Sequence, residues 1–203
     1  MDTTNWTITT VAGGGSLRAN NGQLATNVAL LFPSYVATDR AGNFYFSDNT
    51  NKVYKVDTNG IRTKVAGTGG TSYDGSEGTP ATGANMIPMQ IAVDAGGNIF
   101  IADWANSIIR KVDTNGNIFT VAGNPFNVSG LGDGNPAAFG STLNGPRGVA
   151  VDGLGDIFIA DTNNQRIRMV DTAGIIHTLR ETEPPVQHRG TEFPHCPGSG
   201  QSR

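Results

Sequence analysis

Pro88-Met89-Gln90-Ile91-Ala92-Val93-Asp94 decides the fold, because the chain carries the same phrase three times. It occurs first as Pro33-Ser34-Tyr35-Val36-Ala37-Thr38-Asp39 and last as Pro146-Arg147-Gly148-Val149-Ala150-Val151-Asp152. Each copy continues through a Gly-containing turn, an apolar run ending in Asp, a second apolar run ending in Asp, and another Gly turn. Asp39, Asp94 and Asp152 stand 55 and 58 residues apart, so the period is long and slightly elastic. Self-similarity at such a period marks a repeat array.

The middle copy shows what one unit is. Ile91-Ala92-Val93-Asp94 alternates with period two and runs into Ala95-Gly96-Gly97-Asn98, whose Gly and Asn suit a hairpin turn. Ile99-Phe100-Ile101-Ala102 is an apolar run too short for a helix and rich in β-formers, which reads as a strand buried on both faces. Asp103-Trp104-Ala105-Asn106 turns the chain into Ile108 to Val112, and Asp113-Thr114-Asn115-Gly116 turns it again into Ile118 to Gly123. The unit is a four-stranded antiparallel meander. The first copy repeats it with Phe44 to Ser47, Val53 to Val56 and Ile61 to Val65. The third uses Ile157 to Ala160, Arg166 to Val170 and Ile175 to Leu179. No segment sustains a 3.6-residue period, so helices are not expected.

A single four-stranded sheet cannot bury both faces, whereas sheets stacked radially about an axis can. The phrases Pro-x-Gly-Val-Ala-Val-Asp, Gly-Asn-Ile-Phe-Ile-Ala-Asp, Asn-x-x-Ile-Arg-x-Val-Asp and Gly-x-Ile-x-Thr-Val-Ala-Gly together resemble the NHL repeat, over about residues 6–179. The resemblance implies an all-β β-propeller of four-stranded antiparallel NHL-type blades. It places blades at 31–67, 88–123 and 145–179. A β-sandwich with evenly spaced hairpins is the rival architecture, and it accounts less well for the triplication.

Three units are too few to close a propeller. Residues 1–30 supply a stray edge strand, Trp6 to Gly13, whose Val11-Ala12-Gly13 matches Val65-Ala66-Gly67 and Val121-Ala122-Gly123. Residues 180–203 have no strand period and much Pro and Gly, and are expected to be a disordered tail. Two explanations fit an incomplete ring: a sequence that is part of a longer propeller, which is favoured, or two chains pairing into a homodimeric six-bladed ring.

Composition narrows the function. With 37% apolar residues and 28 Gly in 203 residues, the chain has material for a core and for many tight turns. The net charge is -3 with no Lys/Arg cluster, so nucleic acid is not expected as a partner. No run of 18 apolar residues appears, so no membrane span is expected. One cysteine, Cys196, rules out an intrachain disulfide framework. Asn5-Trp6-Thr7 and Asn127-Val128-Ser129 match the N-glycosylation sequon and slightly favour an extracellular protein, although no signal peptide is visible.

No catalytic constellation emerges, and neither a cofactor nor a metal is expected. His188, His195 and Cys196 fit no zinc spacing. The blades lack the zinc-binding histidines that NHL-like amidating lyases carry. Asp48, Asp103 and Asp161 recur once per blade, which spreads them around a ring and suits turn-making better than acid–base work. The remaining candidates lie on loops, where scaffolds commonly carry function. Trp104 replaces Asn49 and Thr162 at the turn between the second and third strands. It would be an interface anchor, or else simple packing against the neighbouring connector. Tyr73 and Asp74 lie in a connector on the same rim. Tyr35, Met89 and Arg147 follow the repeated Pro at the mouth of the innermost strand. These positions lead to the expectation of a non-catalytic module that binds a protein or glycan through its connector rim. The alternative is part of a six-bladed enzyme or small-ligand sensor of the lyase, lactonase or strictosidine-synthase-like kind.

Overall fold

The computed structural model describes residues 7–17, 21–126 and 132–179. The strands fall in chain order as β1 (Gln23–Leu24), β2 (Tyr35–Thr38), β3 (Phe44–Asp48), β4 (Lys52–Val56) and β5 (Ile61–Ala66) for the first blade. The second has β6 (Thr79–Pro80), β7 (Pro88–Val93), β8 (Ile99–Asp103), β9 (Ile108–Val112) and β10 (Asn117–Gly123). The third has β11 (Gly148–Val151), β12 (Ile157–Asp161), β13 (Arg166–Val170) and β14 (Ile176–Thr178). Each blade is the expected meander, and every pairing is antiparallel. The helical content of the described residues is three 3₁₀ turns of three residues each.

The meanders carry an extra outer strand. The connector entering each of the first two blades lays two residues against the blade's outermost strand, Gln23–Leu24 on β5 and Thr79–Pro80 on β10. In the third blade the same place is held by a bridge between Pro136 and Ile175. The outer edge of each blade is thereby paired by its own connector, which removes an open ladder that would invite other chains.

The Val-Ala-Gly phrase locks this arrangement. Gly67 N–H donates to Ala81 O at 3.0 Å, and Gly123 N–H donates to Ala137 O at 2.9 Å. Both glycines have positive φ, +89° and +88°. A Cβ would lie 2.3 Å from Asn51 O at the first and 2.4 Å from Ser107 O at the second, so only glycine fits. Gly13 makes the same bond, to Ala25 O at 2.9 Å, with φ +82°. Val11-Ala12-Gly13 therefore docks as the end of a preceding unit would. The expected edge strand itself is absent among the described residues: Thr7–Ala12 lies outside any ladder, with Ile8 and Val11 exposed. A strand needs a partner for its N–H and C=O groups, and no sheet lies beside this segment in the described residues. Trp6 and the tail from Arg180 onward lie outside those residues.

Packing follows the strand alternation. One core forms between the first two blades, with Tyr45 and Val53 against Ile91, Ile99, Ile101 and Ile118. A second forms between the last two, with Phe100, Ala102 and Ile109 against Val149, Ile157, Ile159 and Val170. The inner strands also touch directly, Gln90 N–H donating to Arg147 O at 3.3 Å. The three sheets form an arc rather than a ring. One expectation fails here: Val36 was expected to be buried like Ile91 and Val149, yet it is 67% exposed while they are 3% and 2% exposed. Phe44 is likewise half-buried, where Ile99 and Ile157 are buried. Sequence equivalence gives the facing direction of a side chain, and burial then requires a neighbouring blade on that side. The first blade has none on that face among the described residues.

Candidate functional site

The connector rim is built on turns that recur from blade to blade. Asp103, fully buried at the end of β8, accepts Ile87 N–H at 2.9 Å and Asn106 Nδ2 at 2.8 Å. Asp161, at the end of β12, accepts Asn144 N–H at 2.7 Å and Asn164 Nδ2 at 2.8 Å. These carboxylates hold the incoming connector against the β-turn, which is structural work. Burial pushes the Asp103 carboxyl up to about 6, even though Asn106, the Ile87 amide and the nearby Arg110 charge favour its ionised form. In the first blade Asp48 instead bonds Thr50, through its N–H at 3.0 Å and its hydroxyl at 2.6 Å. That turn is one residue shorter, Asp48 pairing with Lys52 where Asp103 pairs with Ile108.

Two arginines hold the connectors from beneath. Arg110 and Arg168 are equivalent positions on β9 and β13, and both are buried. Arg168 Nη2 donates to Asp133 Oδ1 at 2.9 Å, with Asp161 Oδ2 3.7 Å from Nη1. Arg110 Nη2 donates to Ser76 O and lies 3.6 Å from Glu77 Oε1. Glu77 in turn accepts Thr120 N–H at 2.8 Å and the Thr120 hydroxyl at 2.6 Å. The first blade has changed both partners together. Tyr54 stands at the arginine position, with the Arg62 guanidinium 4.2 Å from its ring centroid, and Asn21 takes the acid's place by accepting Lys64 N–H at 2.8 Å. Sequence reading missed this acid–arginine pairing. The signal was present as the shared Arg of β9 and β13 and its simultaneous loss with the acid in the first unit.

On this base the candidates fall into two groups. Tyr73 is fixed from several directions: its N–H donates to Asn106 Oδ1 at 2.8 Å, its hydroxyl to Glu77 Oε1 at 3.0 Å, and Arg110 lies 5.3 Å from its ring centroid. Burial and the Glu77 carboxylate raise the Tyr73 hydroxyl above its ordinary range. Phe126 of the next connector meets the Tyr73 ring edge-on, centroids 5.8 Å apart, and is 67% exposed. Asp74 is exposed yet committed, accepting Ser76 N–H and hydroxyl and Asn85 N–H at 2.8 Å. Those bonds outweigh its partial burial and hold its carboxyl below the usual range.

The second group lies nearer the axis. Trp104 is half-buried, with the Arg147 guanidinium 5.7 Å from its ring centroid and Gly145 close to its Nε1. It thus packs on the neighbouring connector while offering a cation–aromatic pair to the rim. Met89 packs into the second core and its carbonyl accepts the Ser47 hydroxyl at 3.4 Å. Tyr35 is half-buried beside Ser47 on β3. Asn5 and Asn127, the sequon positions, lie outside the described residues. Among those residues no cluster of His, Cys, Asp and Glu could hold a metal ion, and no helix is long and apolar enough to cross a membrane.

Comparison with known proteins bears on this geometry. Residues 122–192 match the model of the teneurin NHL domain. The repeats are NHL repeats. Teneurin-3 of Danio rerio is 30% identical over 178 residues, which cover 80% of this chain and 6% of that protein. Teneurin-1 of Homo sapiens is 28% identical over 172 residues, 78% of this chain and 6% of that protein. The chain therefore spans a small part of the curated relatives it matches. Among solved structures, one titled Nidogen/Laminin Complex superposes with a TM-score of 0.52 at 18% identity, covering 74% of this chain and 48% of that one. A streptogramin B lyase structure gives 0.50 at 18% identity, covering 72% and 39%. These likenesses establish the fold: the NHL blades described here are propeller blades.

Proposed function

We propose that this NHL segment is a non-catalytic interaction module that binds a protein or glycan through its connector rim. The observation that carries this reading is the Tyr73–Phe126 pair. A large aromatic side chain, mostly exposed, stands on a second aromatic that is itself fixed by Asn106, Glu77 and Arg110. Aromatic groups held rigidly lose little entropy on binding and dominate interface energetics. Phe139 lies in the same connector as Phe126 and is partly exposed, its carbonyl accepting Asn124 Nδ2 at 2.8 Å while Asn124 Oδ1 accepts Phe126 N–H. Trp104 and Arg147 extend the rim toward the axis.

Fold alone does not decide function. The solved relatives named above include a lyase as well as a protein from a two-protein complex. The polar groups of this rim favour binding: its carboxylates are engaged in turn-making and connector-holding bonds, as at Asp74, Asp103 and Asp161. The test is a screen of the chain against extracellular protein and glycan arrays, repeated with Phe126→Ala and Arg147→Ala. A binder found with the native chain should lose about 2 kcal/mol or more of affinity to Phe126→Ala, with thermal stability unchanged. A binder whose affinity both variants leave intact would place recognition elsewhere.

A further inference from the structure

The opposite rim carries a feature that repeats from one blade junction to the next. Between the first and second blades lies a groove of about 640 Å³, and between the second and third one of about 480 Å³. Both are lined by equivalent positions of the repeat. The floor of the first is Val65, Ile99 and Val112, and that of the second is Val121, Ile157 and Val170. The outer wall is the connector's short strand or bridge, with Pro80 in one and Pro136 in the other, both exposed. Each groove is thus apolar at its base and open to solvent above.

The polar groups around them are asymmetric in what they leave available. Asp39 accepts Ala41 and Asn43 N–H, Asn43 Nδ2 and the Tyr45 hydroxyl. Asp94 accepts the Asn98 N–H and Nδ2. Asp171 accepts Ala173 and Ile175 N–H and meets His177 Nε2. The carboxylates are therefore engaged in their own turns. The lysines are not: the Lys55 ammonium lies 5.8 Å from the Tyr45 ring centroid, the Lys111 ammonium 5.8 Å from that of Phe100, and neither has a carboxylate within salt-bridge distance among the described residues. Each ammonium offers three donors and no acceptor. An apolar floor beside a cation with unused donors fits an apolar side chain next to a carboxylate.

We infer that the two inter-blade grooves are equivalent docking sites for an extended peptide in which an aliphatic residue is followed by an acidic one. The aliphatic side chain lies on the Val–Ile–Val floor, and the carboxylate pairs with Lys55 in the first groove or Lys111 in the second. The first groove is the stronger, because Lys64 lines it where Thr120 lines the second. The surface is separate from the connector rim, so its fate does not depend on the function proposed there.

The test uses the 203-residue chain and the tetrapeptide acetyl-Ser-Leu-Asp-Ser-amide, followed by amide and methyl NMR shifts. Saturable shifts are expected at Val65, Ile99 and Lys55 and, more weakly, at Val121, Ile157 and Lys111. Lys55→Gln should weaken the first site about tenfold, the loss of one charge-assisted contact, and leave the second unchanged. Lys111→Gln should do the reverse, while Phe126→Ala changes neither. Three outcomes overturn the inference: no shifts in either groove, equal binding of acetyl-Ser-Leu-Lys-Ser-amide, or binding that both lysine variants retain. Groove shifts that grow with protein concentration in the absence of peptide would assign the grooves to a second copy of the chain and also overturn it.

Discussion

Asp103 shows how much a single residue carries here. Its two oxygens join β8, the start of β7 and the turn bearing Trp104, and Asn106 relays that hold to the connector by donating to Thr71 O at 3.2 Å and accepting Tyr73 N–H. Burial raises its carboxyl to about 6 from 3.8 in the unfolded chain. The folded state therefore binds more protons than the unfolded state between those values, and Asp103 makes the protein less stable as pH rises through that window. Asp39, Asp74, Asp133 and Asp171 are shifted downward and act with the opposite sign at lower pH. Asp103→Asn should lower stability at pH 4 through its lost bonds, and the deficit should shrink as pH rises from 4 to 6.5. Urea unfolding of both proteins across that range checks this. A constant difference would mean that Asp103 titrates in its ordinary range when folded. In the sequence, the recurrence of this Asp once per blade already pointed to turn-making; its complete burial and the connector amides it accepts were not visible there, because they come from residues far along the chain.

At the level of the strand and its connector, the meanders were legible because each strand is a short run of β-formers bounded by Asp, Asn and Gly. The connectors were not. Gln23–Leu24, Thr79–Pro80 and the Pro136 bridge are too short to show a period, and their ladders exist because a complete outer strand is already present to receive them. The site divides in the same way: Tyr73, Asp74, Trp104 and Arg147 could be named from loop position, but Phe126 and the Arg110–Glu77 support depend on which connector crosses which blade. Facing direction and burial also separate at this scale. Ile99 and Val36 both point toward a preceding blade, and Ile99 has one. Ile99→Ala should cost about 2–5 kcal/mol, whereas Val36→Ala should cost less than about 1 kcal/mol. Chemical denaturation of the two variants measures the difference. Equal costs would mean that the first blade's outward face is covered or that the register is wrong.

For the molecule as a whole, the account describes three NHL blades in an arc with two inter-blade cores. The middle blade is covered on both sides, and the outer faces of the first and third remain open. Val36 and Leu24 expose apolar surface at one end, and Ile167 at the other. Local opening is easiest where few buried contacts hold a strand, so protection of backbone amides should be graded across the arc. Residue-resolved hydrogen–deuterium exchange on the intact chain tests this directly. The slowest exchange should fall in β8 and β9, with Ile101, Ile109 and Val112 among the last amides to exchange, and faster exchange should appear in β2 and β13. Equal protection in all three sheets, or a middle blade less protected than its neighbours, would contradict the arc of blades on which the rim and both grooves are built.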